Sequence, residues 1–437
     1  MTGPSETSGP SEQTEPKEAT QAVLGSLFRE EWPRLIGAAL RITGDLQAAE
    51  DVAAETLVAA LDRWPLTGLP DRPGAWLMTV CRNRALNVLR ANTRARRAQE
   101  SITAAALADH GVMTEPIPDD RLRLIVLCCH RLLSLDAQVA LTLRMVGGLT
   151  TAEIGRGFHL PPATIAQRIV RAKRILKEHG VNFADDDLDP RGRLPSVLDV
   201  IYLIFNEGYL ATAGDSLVRG ELAFEAYCLA CLLTELTPAE AEPWALRALI
   251  SFQVSRWATR TDDDGELLTL DVQDRSKWNT QLIGDGVLAL ERARTGGERG
   301  SLLLQAELAA CHATAPDFGA TDWSTIVGLY DELAAIQDTP VVALNRAVAI
   351  AMRDGPAAGI ALLDDLTGDE TLCDSHRVWS IRADLHGRMG NTCAAIADYD
   401  QAMLRVTNDA ERRHLAAARR RLAGDSRERQ EGDHAAR

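Results

Sequence analysis

At 437 residues, 46% hydrophobic and 25% charged, with a formal net charge of −15, the chain is expected to be an intracellular globular protein of more than one domain. No apolar run approaches the roughly 18 residues that cross a bilayer, and the Ser-, Thr-, Glu- and Pro-rich first twenty residues lack the basic start and apolar core of a secretory signal. The cytoplasm is therefore the expected compartment, and the eight scattered cysteines suit reduced thiols better than a disulfide framework.

The charge is unevenly placed. Residues 1–177 hold 22 Lys plus Arg against 19 Asp plus Glu, a net +3, whereas the remainder holds 25 against 43, a net −18. Such asymmetry suggests a nucleic-acid-facing module joined to an acidic one.

Helical periodicity dominates throughout, so an all-α fold is expected. After a disordered tail over 1–20, a first helix runs to Thr43 with Pro33 as a kink or restart, and Gly44 ends it. A second, from Asp45 to about Trp64, buries Leu46, Ala49, Leu57, Ala60 and Leu61 and turns Glu50, Asp51, Glu55 and Asp62 outward. The three prolines and two glycines of "RWPLTGLPDRPG", Arg63 to Gly74, predict a loop. A third helix follows, "AWLMTVCRNRALNVLR", with Trp76, Leu77, Val80, Ala85, Val88 and Leu89 as core positions. Between Trp76 and Arg97 stand six arginines and no acid.

Residues 98–119 read as a linker, and a second helical block spans 120–182. Within it Thr150 and Glu153 have the spacing of a capping box, and Pro162 suits the first turn of another helix. Along "ATIAQRIVRAKRILK", Ala163 to Lys177, Ile165, Ile169, Ala172 and Leu176 line one side. Thr164, Gln167, Arg168 and Arg171 share another, and Lys173 joins the same cationic set. Two short helices with an apolar back and a cationic front are the pattern of a helix-turn-helix. Arg and Lys neutralise phosphates, and Gln or Arg near the helix start reaches base edges in the major groove. A merely solvated basic face is the alternative, but such faces usually mix both signs, and this one carries no acid.

These blocks resemble an extracytoplasmic-function sigma factor, the small class of bacterial initiation factors. "TGDLQAAEDVAAETLVAALDRW" with "PGAWLMTVCRNRALNVLR" is similar to the family's region two, residues 21–97, and "LTTAEIGRGFHLPPATIAQRIVRAKRILK" to region four, residues 120–182. The resemblance implies no cofactor and no catalytic residue. It implies core RNA polymerase and promoter DNA as partners: Asp45, Glu50, Asp51 and Glu55 toward the polymerase, Arg82, Asn83, Asn87 and Arg90 toward the −10 element, and Thr164, Gln167, Arg168, Arg171 and Lys173 toward the −35 element. One departure from the family is Pro161, where a serine cap is common; its side chain can accept no backbone N–H.

Beyond a linker at 183–196, "YLIFNEGYLAT", "TDDDGELLTLDVQDRSKW", "AACHATAPDFGATDW" and "VVALNRAVAIAM" resemble the C-terminal extension of one sigma group. A helical segment is expected over 197–300, tetratricopeptide-like repeats over 301–424, and a frayed tail over 425–437. Two stretches, "NRAVAIAMRDGPAAGIALLDDL" and "IRADLHGRMGNTCAAIADYDQAM", align at a shift of 35 residues with Gly355 over Gly390, close to the ~34-residue tetratricopeptide period. Cys228 and Cys231 lack a second metal-binding pair, Arg260 stands where a calcium loop from there to Asp271 would need its first ligand, and His312 reads as a packed side chain. The expected function is promoter-specific initiation with a fused extension that regulates activity or assembly, possible partners being another protein or the chain's own basic module. The alternative is a helix-turn-helix regulator with a tetratricopeptide sensor.

Overall fold

The computed structural model describes residues 31–100, 120–158, 160–181, 190–209, 220–262, 268–296, 299–366, 375–406 and 411–423. The expected tails, most of the 98–119 linker, the start of the first helix and the acids Asp263 and Asp264 lie outside these. Every extended element among the described residues is a helix, and the chain divides into two compact units, Met1–Val200 and Ile201–Arg437.

The first unit opens with α1, residues 31–43, whose Trp32, Leu35, Ile36 and Ala39 are buried. It stops at Gly44, which takes φ 66°, a value that glycine reaches without steric cost. Helix α2, Leu46–Thr67, is capped by Asp45, whose carboxylate accepts from the backbone N–H of Gln47 and Ala48. This helix runs further than the sequence suggests: it continues through Pro65 to Thr67 and ends at Gly68, φ 80°. The loop expected over Arg63–Gly74 is thus confined to five residues before α3, Pro73–Glu100. The extension is held by Trp64, 2% exposed and in edge contact with Trp76 of α3, ring centroids 5.4 Å apart. Leu61 and Leu89, expected in the core, are instead exposed.

The same unit contains α4, Asp120–Cys128; α5, Leu135–Met145; α6, Thr151–Gly157; and α7, Pro162–Glu178. The capping box at Thr150 and Glu153 is formed in both directions. Between α6 and α7 the turn closes on Gly155: a Cβ there would lie 2.6 Å from the carbonyl oxygen of Leu160, whose own N–H donates to the Gly155 carbonyl at 2.9 Å. Pro161 makes no side-chain cap, but its extended backbone, φ −56° and ψ 138°, presents a carbonyl that accepts from Thr164 and Ile165.

Helix α8, Pro190–Tyr209, starts inside the expected linker, with Pro195 in its first two turns. The second unit continues with α9, Gly220–Leu236; α10, Ala241–Ser255; α11, Thr280–Arg294; and α12, Ser301–Ala313. In the motif Phe205–Tyr209, Gly208 is the crossing point of α8 on α9, since a Cβ would meet the Ala223 nitrogen at 2.4 Å. Phe205 and Tyr209 stack at 5.2 Å, and Arg260 lies over the Tyr209 ring at 3.8 Å while donating to its carbonyl.

Then come α13, Trp323–Ile336; α14, Pro340–Asp354; α15, Pro356–Leu366; α16, His376–Arg388; α17, Thr392–Arg405; and α18, residues 411–423. The 35-residue shift aligns α14–α15 with α16–α17, and the two turn glycines share the left-handed region, Gly355 at φ 102° and Gly390 at φ 77°. Successive apolar clusters join α12 to α14, α14 to α16, and α16 to α18, so each core belongs to neighbours in sequence. That is the arrangement of a tetratricopeptide-like array.

Candidate nucleic-acid interface

Two cationic helix faces stand on the first unit. On α3, Arg82, Asn83, Asn87 and Arg90 are all exposed along one side, while Leu77, Cys81 and Ala85 are buried behind them. The Cys81 thiol is pushed up to about 11 by burial and stays protonated. On α7, Ile165, Ile169, Ala172 and Leu176 are buried as expected. Gln167 and Arg171 are exposed, Thr164 and Arg168 half-buried, and Arg168 pairs with Asp136 of α5 at 3.3 Å. The apolar back of α7 rests on α5 and α6, which leaves its cationic front turned outward.

Lys173 is placed differently from the rest of its set. It is 8% exposed, and its ammonium donates to Glu50 and, at 2.9 Å, to Gln47 of α2. Arg144 of α5 reaches the same carboxylate through Nε at 2.6 Å, and through Nη1 donates to the Leu149 carbonyl at 3.0 Å. Burial raises the Glu50 carboxyl, but the hydrogen bond and charge of Lys173, joined by Arg144, outweigh it and hold the group below its ordinary 4.5. Asp45 is bound twice over, as the cap of α2 and as the partner of Lys177 at 2.6 Å. Of the four acids assigned to the polymerase, Asp51 and Glu55 alone face outward: Asp51 accepts from Gln47 at 2.9 Å and Glu55 pairs with Arg84 at 2.5 Å.

Sequence reasoning missed the apolar component of that outward side. Val58 and Leu61 are exposed, and Leu66, just beyond Pro65, is 86% exposed. Their spacing, read together with Asp51, Glu55 and Asp62, puts an apolar strip beside an acidic one on the same flank of α2. The signal was present in the three- and four-residue steps, but an apolar residue at such a step is ordinarily assigned to the core.

A module with one helix-turn-helix and a second cationic helix beside a capped acidic one is the arrangement of a two-region sigma factor. Known families match accordingly: Sigma-70 region 2 over residues 27–95 and Sigma-70, region 4 over residues 123–176. The ECF RNA polymerase sigma factor SigL of Mycobacterium tuberculosis is 31% identical over 172 residues, 37% of this chain and 94% of SigL. The chain belongs to the extracytoplasmic-function sigma factors. Residues 193–294 match a family of unknown function, DUF6596. An uncharacterized protein of Rhizobium meliloti (strain 1021) is 36% identical over 400 residues, 90% of this chain and 94% of its own length. The crystal structure of yeast Tom70 aligns over 94% of this chain and 85% of its own, at 11% identity and a TM-score of 0.30. That likeness is too distant to carry an argument, and the repeat architecture rests on the helix pairs above.

No helix among the described residues is long and apolar enough to cross a membrane. Family membership brings core RNA polymerase and promoter DNA as partners and a non-enzymatic role in initiation.

Proposed function

We propose that the chain docks on core RNA polymerase through α2, reads the −35 element with α7, and melts and reads the −10 element with α3. The observation that carries this reading is the pair of cationic faces on separately supported helices. On α7, Gln167 and Arg171 stand clear of the core, with Thr164 and Arg168 at its edge; on α3, Arg82, Asn83, Asn87 and Arg90 do the same. Arg and Asn suit strand separation because each bonds to phosphates as well as to base edges. Asp51, Glu55 and Asp62 beside Val58 and Leu61 supply α2 with an acidic strip along an apolar one, which favours a partner surface that sets basic groups beside an apolar patch. The acidic second unit regulates activity or assembly, and the cytoplasm is the compartment in which all of this takes place.

In vitro transcription with purified core polymerase tests the reading. Only a sigma factor confers promoter-specific starts on core enzyme alone; a helix-turn-helix regulator with a tetratricopeptide sensor would require a resident sigma factor. Removal of residues 190–437 tests the regulatory assignment, and unchanged output at every promoter would refute it.

A further inference from the structure

At the start of the helical array lies a groove that initiation leaves unused. Helices α11, α12 and α13 line a cavity of about 550 Å³, within the roughly 300–1,000 Å³ of small-molecule sites. Its floor is apolar: Leu290 and Leu329 are buried there, and burial raises the Cys311 thiol, which stays protonated. One wall is an ionic clamp. Glu307, 5% exposed, accepts from Arg294 Nε at 2.8 Å and from Arg299 Nη2 at 2.5 Å, and Arg299 Nε reaches Glu332 at 3.0 Å. Among the described residues, both Nη groups of Arg294 and the Nη1 of Arg299 have no partner. Glu291, one turn before Arg294 on α11, is exposed and likewise forms no ion pair among those residues.

Glu291 and Arg294 stand three residues apart, a spacing at which opposite charges on a helix ordinarily pair. Glu307 turns Arg294 away, so the groove displays a carboxylate and two guanidinium edges that do not satisfy each other. As a stabilising device this is weak, because desolvation of a buried carboxylate and its arginines offsets most of their attraction. As a preset arrangement of both charges it spares a ligand the cost of ordering them. The three carboxylates of the lining, Glu291, Glu307 and Glu332, repel a polyanion such as nucleic acid, and the two guanidinium groups repel a metal ion. What fits is one charge of each sign on an apolar body. We propose that the groove binds a small zwitterion, an amino acid or a di- or tripeptide, with its carboxylate on Arg294 and Arg299, its ammonium at Glu291 and its side chain over Leu290 and Leu329. Such binding is independent of how the first unit engages DNA or polymerase.

Differential scanning fluorimetry of the full chain tests this, with the twenty coded amino acids, dileucine and trileucine as probes. At least one probe should raise the midpoint of the second unit's transition by about 5 °C at a hundredfold excess over its dissociation constant, and amino acid against peptide distinguishes the source. Isothermal titration then compares the active probe with its N-acetyl and C-amidated forms. Each should bind at least about tenfold more weakly, because one charge of the groove is left without its partner. Glu291→Gln, an exposed change, should weaken the parent probe by the same factor and leave the N-acetyl form unaffected. Gly328→Met should abolish binding and keep the unliganded midpoint, because a Cβ on Gly328, which lines the groove, meets nothing within 4 Å and the longer side chain fills the space. Absence of a shift with every probe overturns the proposal. So does an N-acetyl or amidated form that binds as tightly as its parent, or undiminished binding to either variant.

Discussion

Burial of His312 makes the stability of the second unit depend on pH. It sits on α12 with its ring edge against Trp323, centroids 5.5 Å apart, and its Nδ1 is buried without a partner. Burial, reinforced by the nearby positive charges of Arg256 and Arg275, pushes its pKa down from 6.5 to about 4. The unfolded chain takes up the proton first, so stability is lost as pH falls from 6.5 toward 4. At about 1.4 kcal/mol per unit of pKa difference, the loss between pH 7.5 and pH 5 comes to about 2 kcal/mol. Urea denaturation of the full chain and of His312→Phe at both pH values, followed by tryptophan fluorescence, isolates this effect because every other group cancels in the difference. Phenylalanine keeps the aromatic edge and cannot be protonated. The wild type should lose about 2 kcal/mol relative to the variant on going to pH 5; a difference unchanged with pH would refute the reasoning.

Three further outcomes follow from close contacts and exposed charge. Gly208→Ala places a Cβ 2.4 Å from the Ala223 nitrogen and should lower the thermal midpoint of the second unit's transition, at a cost of about 2 kcal/mol or more, because backbone cannot rotate aside. Gly155→Ala should leave circular dichroism nearly unchanged yet weaken promoter binding about tenfold or more in filter-binding assays, since the α6–α7 turn must shift to clear the Leu160 carbonyl. Arg171→Ala, on an exposed residue of α7, should reduce the slope of log affinity against log salt by about one if the guanidinium contacts a phosphate, or relax the sequence preference if it contacts a base. A variant with unchanged slope and preference would remove Arg171 from the interface.

The parts of the fold legible in the sequence are those governed by short-range rules. The capping box at Thr150 and Glu153, the helix start at Pro162 and the buried side of α7 all follow from steps of three or four residues. The equivalence of Gly355 and Gly390 was visible as a repeat and is realised as two left-handed turns. What the sequence could not show depends on distant partners. Pro65 is tolerated inside α2, whose last turns are held by the contact of Trp64 with Trp76. The role of Gly208 needs α9 to be in place before a Cβ becomes impossible. Glu50 carries the same acidic signature as Asp51, and only the arrival of Arg144 and Lys173, 94 and 123 residues away, separates the buried acid from the exposed one. The candidate DNA faces were legible as residue types, and the arrangement that removes Lys173 from them was not.

The apolar clusters shared in sequence between α12 and α18 have a mechanical consequence. Since none of these clusters among the described residues reaches across the whole array, small rotations distributed over the joints can add up to a large change in curvature while every cluster stays closed. Bending spread over the joints in this way leaves each helix pair near its resting geometry, so the array can flex without any one cluster opening.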